Sequence, residues 1–369
     1  MQPHMPPDAD HSASSIPKRS RRVALGFIGA GWWATTNHIP LLARRSDVTL
    51  AGVCRPDHEA LQAIKQHFGF AFATEDYREL LDQDLDGVVI SSPHHLHYEQ
   101  AKAALERGLS VLCEKPMALE PAQAWELVVL ARERNLHLLV AYGWHYKRFV
   151  EEAKRLMDAG SVGQIEYVLC HMASPTKELF SGATHLSSEW TPLLNEPDPR
   201  TWQTKEQGGG YVHGQLTHSS ALLFWLTGLR AARVTALTTA PNSAVDMYST
   251  ASVLFDGSAI GTVSGAATLP DNDPFQVDVR IFGDKGVLLL DVERERLELR
   301  HHDGQHFHLS IEPGSGAYSC EGPPARFVEL LQGHGTNNSP GEVAARSVEL
   351  LAAICASAAE DGKPVSVYR

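Results

Sequence analysis

Cysteine is scarce and scattered in this 369-residue chain: Cys54, Cys113, Cys170, Cys320 and Cys355 are odd in number and form no C-x-x-C pair. That pattern argues against a disulfide scaffold or a zinc ribbon and suits a reducing compartment, so a cytoplasmic protein is expected. Long apolar runs are missing as well; none approaches the roughly 20 residues a membrane-spanning helix needs. Positive charge is in deficit, with a net charge of −12 and no basic run beyond the N-terminus. No nucleic-acid or membrane partner is therefore expected. What remains is an ordinary globular composition, 43% hydrophobic and 21% charged, long enough for two domains at about 150 residues each.

Residues 1–20, rich in Pro, Ser and His, read as a disordered tail. "SRRVALGFIGAG" (20–31) has the outline of a twin-arginine export signal. Its apolar part, however, runs straight into a glycine-rich turn with no small-residue cleavage site, so 23–28 is read as the first core strand.

Short apolar strands alternate with helical spacing through the first half. "VALGFI" (23–28), "VTLAGVC" (48–54), "GVVI" (87–90), "SVLC" (110–113) and "HLLVAY" (137–142) are the strands; helices are expected to about residue 43 and near 57–68, 95–107 and 121–134. Continuous apolar strands between helices predict a doubly wound parallel sheet covered on both faces, a Rossmann-type α/β domain over 21–145. The first turn, "GFIGAGWWA", carries G-x-G-x-x-[G/A] as Gly29, Gly31 and Ala34. Gly29 permits the tight turn, Gly31 lets the backbone approach a pyrophosphate, and Ala34 packs closely on the strand. Placed after a strand and before a helix, the motif points to a dinucleotide. The second strand ends in Arg55 and Pro56 where an acidic residue would take the ribose of NAD. A guanidinium there suits a 2′-phosphate, so the expectation is NAD(P) with a lean toward NADP.

Four motifs make the chain resemble the glucose–fructose oxidoreductase/inositol dehydrogenase/rhizopine-catabolism (Gfo/Idh/MocA) family: the glycine turn running on to His38 and Pro40, "SSPHHLHYE" (91–99), "CEKP" (113–116) and "GGGYVHGQLTH" (208–218). The resemblance implies hydride transfer between a nicotinamide and a secondary alcohol or ketone of a sugar, cyclitol or sugar derivative. It implies that Lys115 and His218 are catalytic, with a lysine beside the reacting oxygen favouring alkoxide-like charge. The cofactor would be held by Gly29, Ala30, Gly31, Trp32, Trp33, Arg55, Ser92, Pro93, His94, His97, Glu114, Lys115 and His145. Substrate would meet Lys115, Trp144, His145, His213, Gln215 and His218. The fourth motif departs from the family, because Gly214 stands where many members have aspartate. Two other functions stay open: elimination of an aglycone through transient oxidation of a glycoside, and a dinucleotide-binding sensor without turnover.

Neither "HHLH" (94–97) nor "HHDGQHFH" (301–308) is read as a metal site; the latter reads as a hairpin around Asp303-Gly304. No metal is expected. From about residue 163 period-two stretches take over, predicting an antiparallel meander and hence an α+β domain with an open, mostly antiparallel sheet over 146–369. The helix at 342–359 is expected to return to the first domain. In the family one face of such a sheet often joins subunits, so the resemblance implies a homodimer or homotetramer. Residues 174–207 show no clear period and hold Trp190 and Trp202. They read as a substrate-covering loop whose tryptophans stack on a sugar ring.

Overall fold

The computed structural model describes residues 22–182 and 193–367. Its first sheet has six strands: β1 (Val23–Ile28), β2 (Val48–Cys54), β3 (Phe72–Thr74), β4 (Gly87–Ile90), β5 (Ser110–Cys113) and β6 (Leu138–Val140). They run parallel in the order β3-β2-β1-β4-β5-β6. Strands β4, β5 and β6 are buried on both faces, as their uninterrupted apolar sequence requires. Five of the six strands were legible in the sequence. β3, "FAT", is three residues long and too short to show a period. The strand order reverses between β1 and β4, and a crevice opens there at the carboxyl ends, the place where such sheets take ligands.

The second sheet contains β7 (Ile165–Ala173), β8 (Ala231–Thr239), β9 (Tyr248–Phe255), β10 (Ile260–Ala266), β11 (Gln276–Gly283), β12 (Gly286–Asp291), β13 (Arg296–His301), β14 (His306–Leu309) and β15 (Val365–Ser366). Their order is β14-β13-β12-β11-β7-β10-β9-β8-β15. The expected meander is corrected here. β7 inserts between β11 and β10 and pairs with β10 in parallel, so the sheet is mixed, though mostly antiparallel. Pairing order across a sheet depends on long-range contacts that local periodicity does not encode. The hairpin of β13 and β14 forms around Asp303-Gly304 as read.

Buried residues alternate along β7 to β13, and the buried set faces helices. The helix Thr217–Thr227 is buried almost all round. The helix Gly341–Ala359 packs on it, on the helix Pro121–Glu133 and on β8, its alanines allowing close approach. A second return was not read from sequence. The helix Gly322–Leu331 lays Phe327 on the first sheet, in the space left by the missing side chain of Gly87. Both returns tie the end of the chain to its beginning, so the crevice between the sheets has rigid walls.

One buried ion pair joins these parts. Glu349, 1% exposed, accepts from Arg230 Nη2 at 2.6 Å and from Trp125 Nε1 at 2.7 Å. Removing one partner of such a pair strands the other without its counter-charge. Glu349→Ala is expected to lower unfolding stability by roughly 3 kcal/mol, read as a shift of the urea midpoint; an unchanged midpoint would contradict this account.

Candidate active site

The glycine turn shapes one end of the crevice. Gly29 has φ +84°, and a Cβ there would lie 2.3 Å from the backbone N of Ser92, so no side chain fits. Gly31 is the opposite case: a Cβ would meet nothing within 4 Å, and the residue lines a half-open cleft. The missing side chain leaves a cradle open above a helical start. Ala34 is buried on the strand side. Across the cleft, the end of β4 presents Ser91, Ser92, Pro93, His94 and His97. Ser92 Oγ donates to Gln100 Oε1 at 2.6 Å, whereas Ser91 Oγ is buried without a hydrogen-bond partner. An open glycine cradle and an orphaned hydroxyl at the strand ends fit a dinucleotide with its pyrophosphate at the turn.

The end of β5 carries the charges. Glu114 Oε1 accepts from Trp33 Nε1 at 2.9 Å and meets His38 Nε2 at 2.6 Å, while its Oε2 takes the backbone N–H of Lys115 at 3.1 Å. Burial works against this carboxylate, but His38, Lys115 and the backbone donor hold it below the ordinary range. Lys115 is 6% exposed, and its peptide bond to Pro116 is cis. Its Nζ donates to Gly214 O at 3.0 Å and stands 5.8 Å from the centre of the Trp202 ring. Burial lowers its pKa, and the neighbouring Glu114 opposes that shift.

Gly214 lies on the π-helical turn Val212–Leu216. A Cβ there would sit 2.9 Å from Phe180 Cζ and 3.5 Å from Trp202 Cζ3. Two aromatic rings occupy the room an aspartate would need, which accounts for the departure from the family pattern. Gln215 and His218 follow on the cleft wall. His218 is 5% exposed, its Nδ1 has no partner, and Trp144 and Tyr318 stand edge-on at 5.3 and 5.5 Å. Burial first, then the charge of Lys115, holds it neutral well below its usual pKa.

The cleft gathers Gly31, Trp32, Trp33, Ser92, Pro93, His94, His97, Glu114, Lys115, Trp144, Trp202, Gln215 and His218 from the expected set. Gly29 lies beneath the turn. Arg55 is beside it, with Nη1 donating to Ala30 O at 3.1 Å and to Asn195 Oδ1 at 2.8 Å. Besides these, three expected residues do not line the cleft: Ala30, fully buried in the turn, His145 and His213. His145 is corrected: it stacks between Tyr142 and Trp225, at 5.3 and 4.8 Å, and pairs Nδ1 with Asn338 O. His213 is likewise outside the lining, on the same turn as Gln215 and near enough to His94 for their charges to interact. Trp190 lies outside the described residues. Within 174–182 and 193–207, the described parts of that segment, short helices form at Lys177–Ser181 and Pro199–Gln203, the latter carrying Trp202 to the cleft. Among the described residues no group of three or more His, Cys, Asp or Glu is placed to hold a metal ion. His94 and His97 instead spend ring nitrogens on the carbonyls of Gly208, Pro116 and Ser92.

Sequence reasoning missed Ser91, Asp198, Phe275 and Tyr318, all of which line the cleft. Phe275 and Tyr318 come from connecting segments with no motif around them, and nothing local signals their position. His38 was seen as part of the turn motif but not as the partner of Glu114.

A Rossmann-type sheet with an open glycine cradle, facing a buried lysine and a neutral histidine, defines a dinucleotide-dependent oxidoreductase. Residues 23–142 match the family described as "Oxidoreductase family, NAD-binding Rossmann fold", and residues 150–289 match the "GFO/IDH/MocA C-terminal domain". The chain belongs to the Gfo/Idh/MocA family of NAD(P)-dependent oxidoreductases. It is 25% identical to an uncharacterised oxidoreductase of Synechocystis over 74% of this chain and 72% of that one. It is 35% identical to the D-glucoside 3-dehydrogenase of Escherichia coli, over 41% of this chain and 43% of that enzyme. Levoglucosan dehydrogenase, solved with NADH and L-sorbose, superposes with a TM-score of 0.75 at 20% identity, over 95% of this chain and 100% of that one. That likeness is one of fold. No helix of the described residues is long and apolar enough to cross a membrane.

Several buried or half-buried histidines share a consequence. Burial pulls down the pKa of His94, His97, His213 and His218, and holds His145 at about 4. The unfolded chain takes up these protons near pH 6.5. Between those values the unfolded state binds more protons, so stability is complete above about pH 6.5 and is lost as pH falls toward 4. His145 by itself contributes about 3 kcal/mol to this loss. Melting temperatures measured from pH 7.5 to 4.5 are expected to fall steadily below pH 6.5; a flat profile would contradict neutral burial.

Proposed function

We propose that this protein moves a hydride between a nicotinamide cofactor and a secondary hydroxyl of a neutral sugar, cyclitol or sugar derivative. The observation that carries the reading is the meeting of Lys115, from the end of β5, and His218, from the second half of the chain, in the cleft that also contains Gly31. When bound, the nicotinamide supplies the hydride acceptor or donor at its C4. In the oxidative direction His218, a neutral imidazole on the cleft wall, takes the hydroxyl proton. The ammonium of Lys115 faces the alkoxide-like charge that develops as the carbon–hydrogen bond breaks and the carbonyl forms. Gly214 O fixes that ammonium, and Gln215 and Trp202 border the same space for hydroxyl and ring-face contacts. Trp144 and Tyr318 wall His218 from water.

The cofactor reading leans to NADP on two local facts. Asp57, the first carboxylate after β2, caps the helix His58–Phe68 by accepting from Ala60 N at 3.0 Å. Arg55 is pinned through Nη1, and its Nη2 stands 4.0 Å from Asp57 Oδ2, which holds the guanidinium at the end of β2 where a 2′-phosphate would lie. A homo-oligomer in the cytoplasm belongs to the same reading; partly exposed Leu169, Phe282 and Leu289 on the open face of the second sheet support an interface there.

Two measurements test this. Lys115→Ala is expected to lower kcat by about 10²–10³ while cofactor affinity stays within a few-fold; unchanged kcat removes the lysine from the chemistry. In parallel fluorescence titrations, NADPH is expected to bind more tightly than NADH, and Arg55→Ala to weaken NADPH by about tenfold while sparing NADH. Equal losses for both cofactors would make Arg55 a support of the turn instead.

A further inference from the structure

Two π-helical turns occur among the described residues, Ala34–His38 and Val212–Leu216, and both bear on Lys115. The second offers the carbonyl of Gly214 to its Nζ at 3.0 Å. The first follows the glycine turn and ends in His38, which reaches Glu114, the chain neighbour of the lysine. Turns of this type are rare and recur at functional sites.

His38 and Glu114 form a close, buried pair. Nε2 stands 2.6 Å from Oε1, and the two side chains are 2% and 9% exposed. An ionised carboxylate can only accept, so Nε2 donates. The other ring nitrogen, Nδ1, is buried without a partner among the described residues, so the ring spends its one hydrogen bond on Glu114. Trp33 Nε1 donates to the same oxygen at 2.9 Å, and the backbone N–H of Lys115 to Oε2 at 3.1 Å. Burial alone would push this carboxyl up and let it take a proton; the hydrogen bond from His38 is the strongest influence against that.

We propose that His38 is a positioning residue: it keeps Glu114 ionised, and that carboxylate in turn keeps Lys115 in the cleft as an ammonium. This adds a residue to the oxidoreductase reading above and rests on that reading for its catalytic consequence. His38 itself does not line the cleft, so it acts through Glu114. Without its donor, Glu114 takes up a proton at a higher pH. The buried ammonium then loses its counter-charge, and the active ion pair is depleted on the acid side.

The other titratable groups that feel Glu114 or Lys115 come from several elements. They are Cys113 on β5, His94 and His97 after β4, Tyr142 after β6, His218, and Tyr318 and Cys320 ahead of the helix Gly322–Leu331. Burial moves the thiols and phenols up and these three histidines down, so none of them rises into the neutral range when His38 is removed.

The test labels glutamate side-chain carboxyls with carbon-13 in the full-length protein and assigns Glu114 by the signal lost in Glu114→Gln. In the unmodified protein this carboxyl is expected to stay ionised from about pH 5 to 9. His38→Leu removes the donor and is expected to bring the midpoint into that range, a rise of about one to two pH units. His38→Gln, whose amide can donate instead, is expected to reverse most of the rise. The acid limb of kcat, measured with oxidised NAD and NADP on free hexoses, pentoses and inositols, is expected to move up in the leucine variant and back in the glutamine variant. A histidine with a merely structural role would lower the melting temperature and move neither profile. Circular dichroism and NADPH titration establish folding and cofactor binding, and His38→Met replaces the leucine variant if that one does not fold. Three results each overturn the proposal: a Glu114 carboxyl that already titrates within the range in the unmodified protein, one that remains ionised throughout in a folded leucine variant, or an acid limb that does not follow it. Absence of turnover of every sugar and cyclitol by the unmodified protein counts instead against the oxidoreductase reading, and the carboxyl titration still decides whether His38 holds Glu114 ionised.

Discussion

A buried ammonium sets the terms for the rest of the cleft. Lys115 lies at the end of an apolar strand, 6% exposed, where an uncompensated positive charge would be costly. Its compensation comes from two directions. Glu114, next in the chain, supplies negative charge, and Gly214 supplies a carbonyl from the other half of the molecule. Glu114 needs support in turn, which Trp33 and His38 provide from the helix that begins at the glycine turn. One charge thus connects the cofactor cradle, the strand end and the second sheet, and its position requires all three.

The aromatic residues around that charge serve electrostatics as much as packing. Trp144, Trp202, Phe275 and Tyr318 line the cleft that Lys115 and His218 share. The ammonium favours a developing alkoxide, and burial together with the same charge keeps His218 neutral. Phe180 and Trp202 also take the volume that an aspartate at Gly214 would occupy. An acidic group there would have given the ammonium a permanent partner; in its absence the nearest oxygen is a neutral carbonyl.

Much of this was legible before any coordinates. The five longer parallel strands, the glycine turn and the E-K-P strand end are local signals, since each depends on residues adjacent in the chain. The errors share a cause. β3 is too short for a period, the place of β7 beside β10 is a long-range pairing, and the return of Phe327 to Gly87 links distant residues. His145 follows Trp144 directly, yet the tertiary packing sends Trp144 to the cleft and stacks His145 on Tyr142 and Trp225. A motif marks both positions and does not say which way each side chain turns.

The sequence by itself determined the class of fold and the dinucleotide cradle, because backbone conformation and strand burial follow from neighbouring residues. Only the tertiary structure decided that Lys115 rests on Gly214 and that Phe275 and Tyr318 wall the cleft. Those relations join residues from 115 to 318 through the packing of two sheets, and no local pattern in a chain specifies which distant side chains will share one cavity.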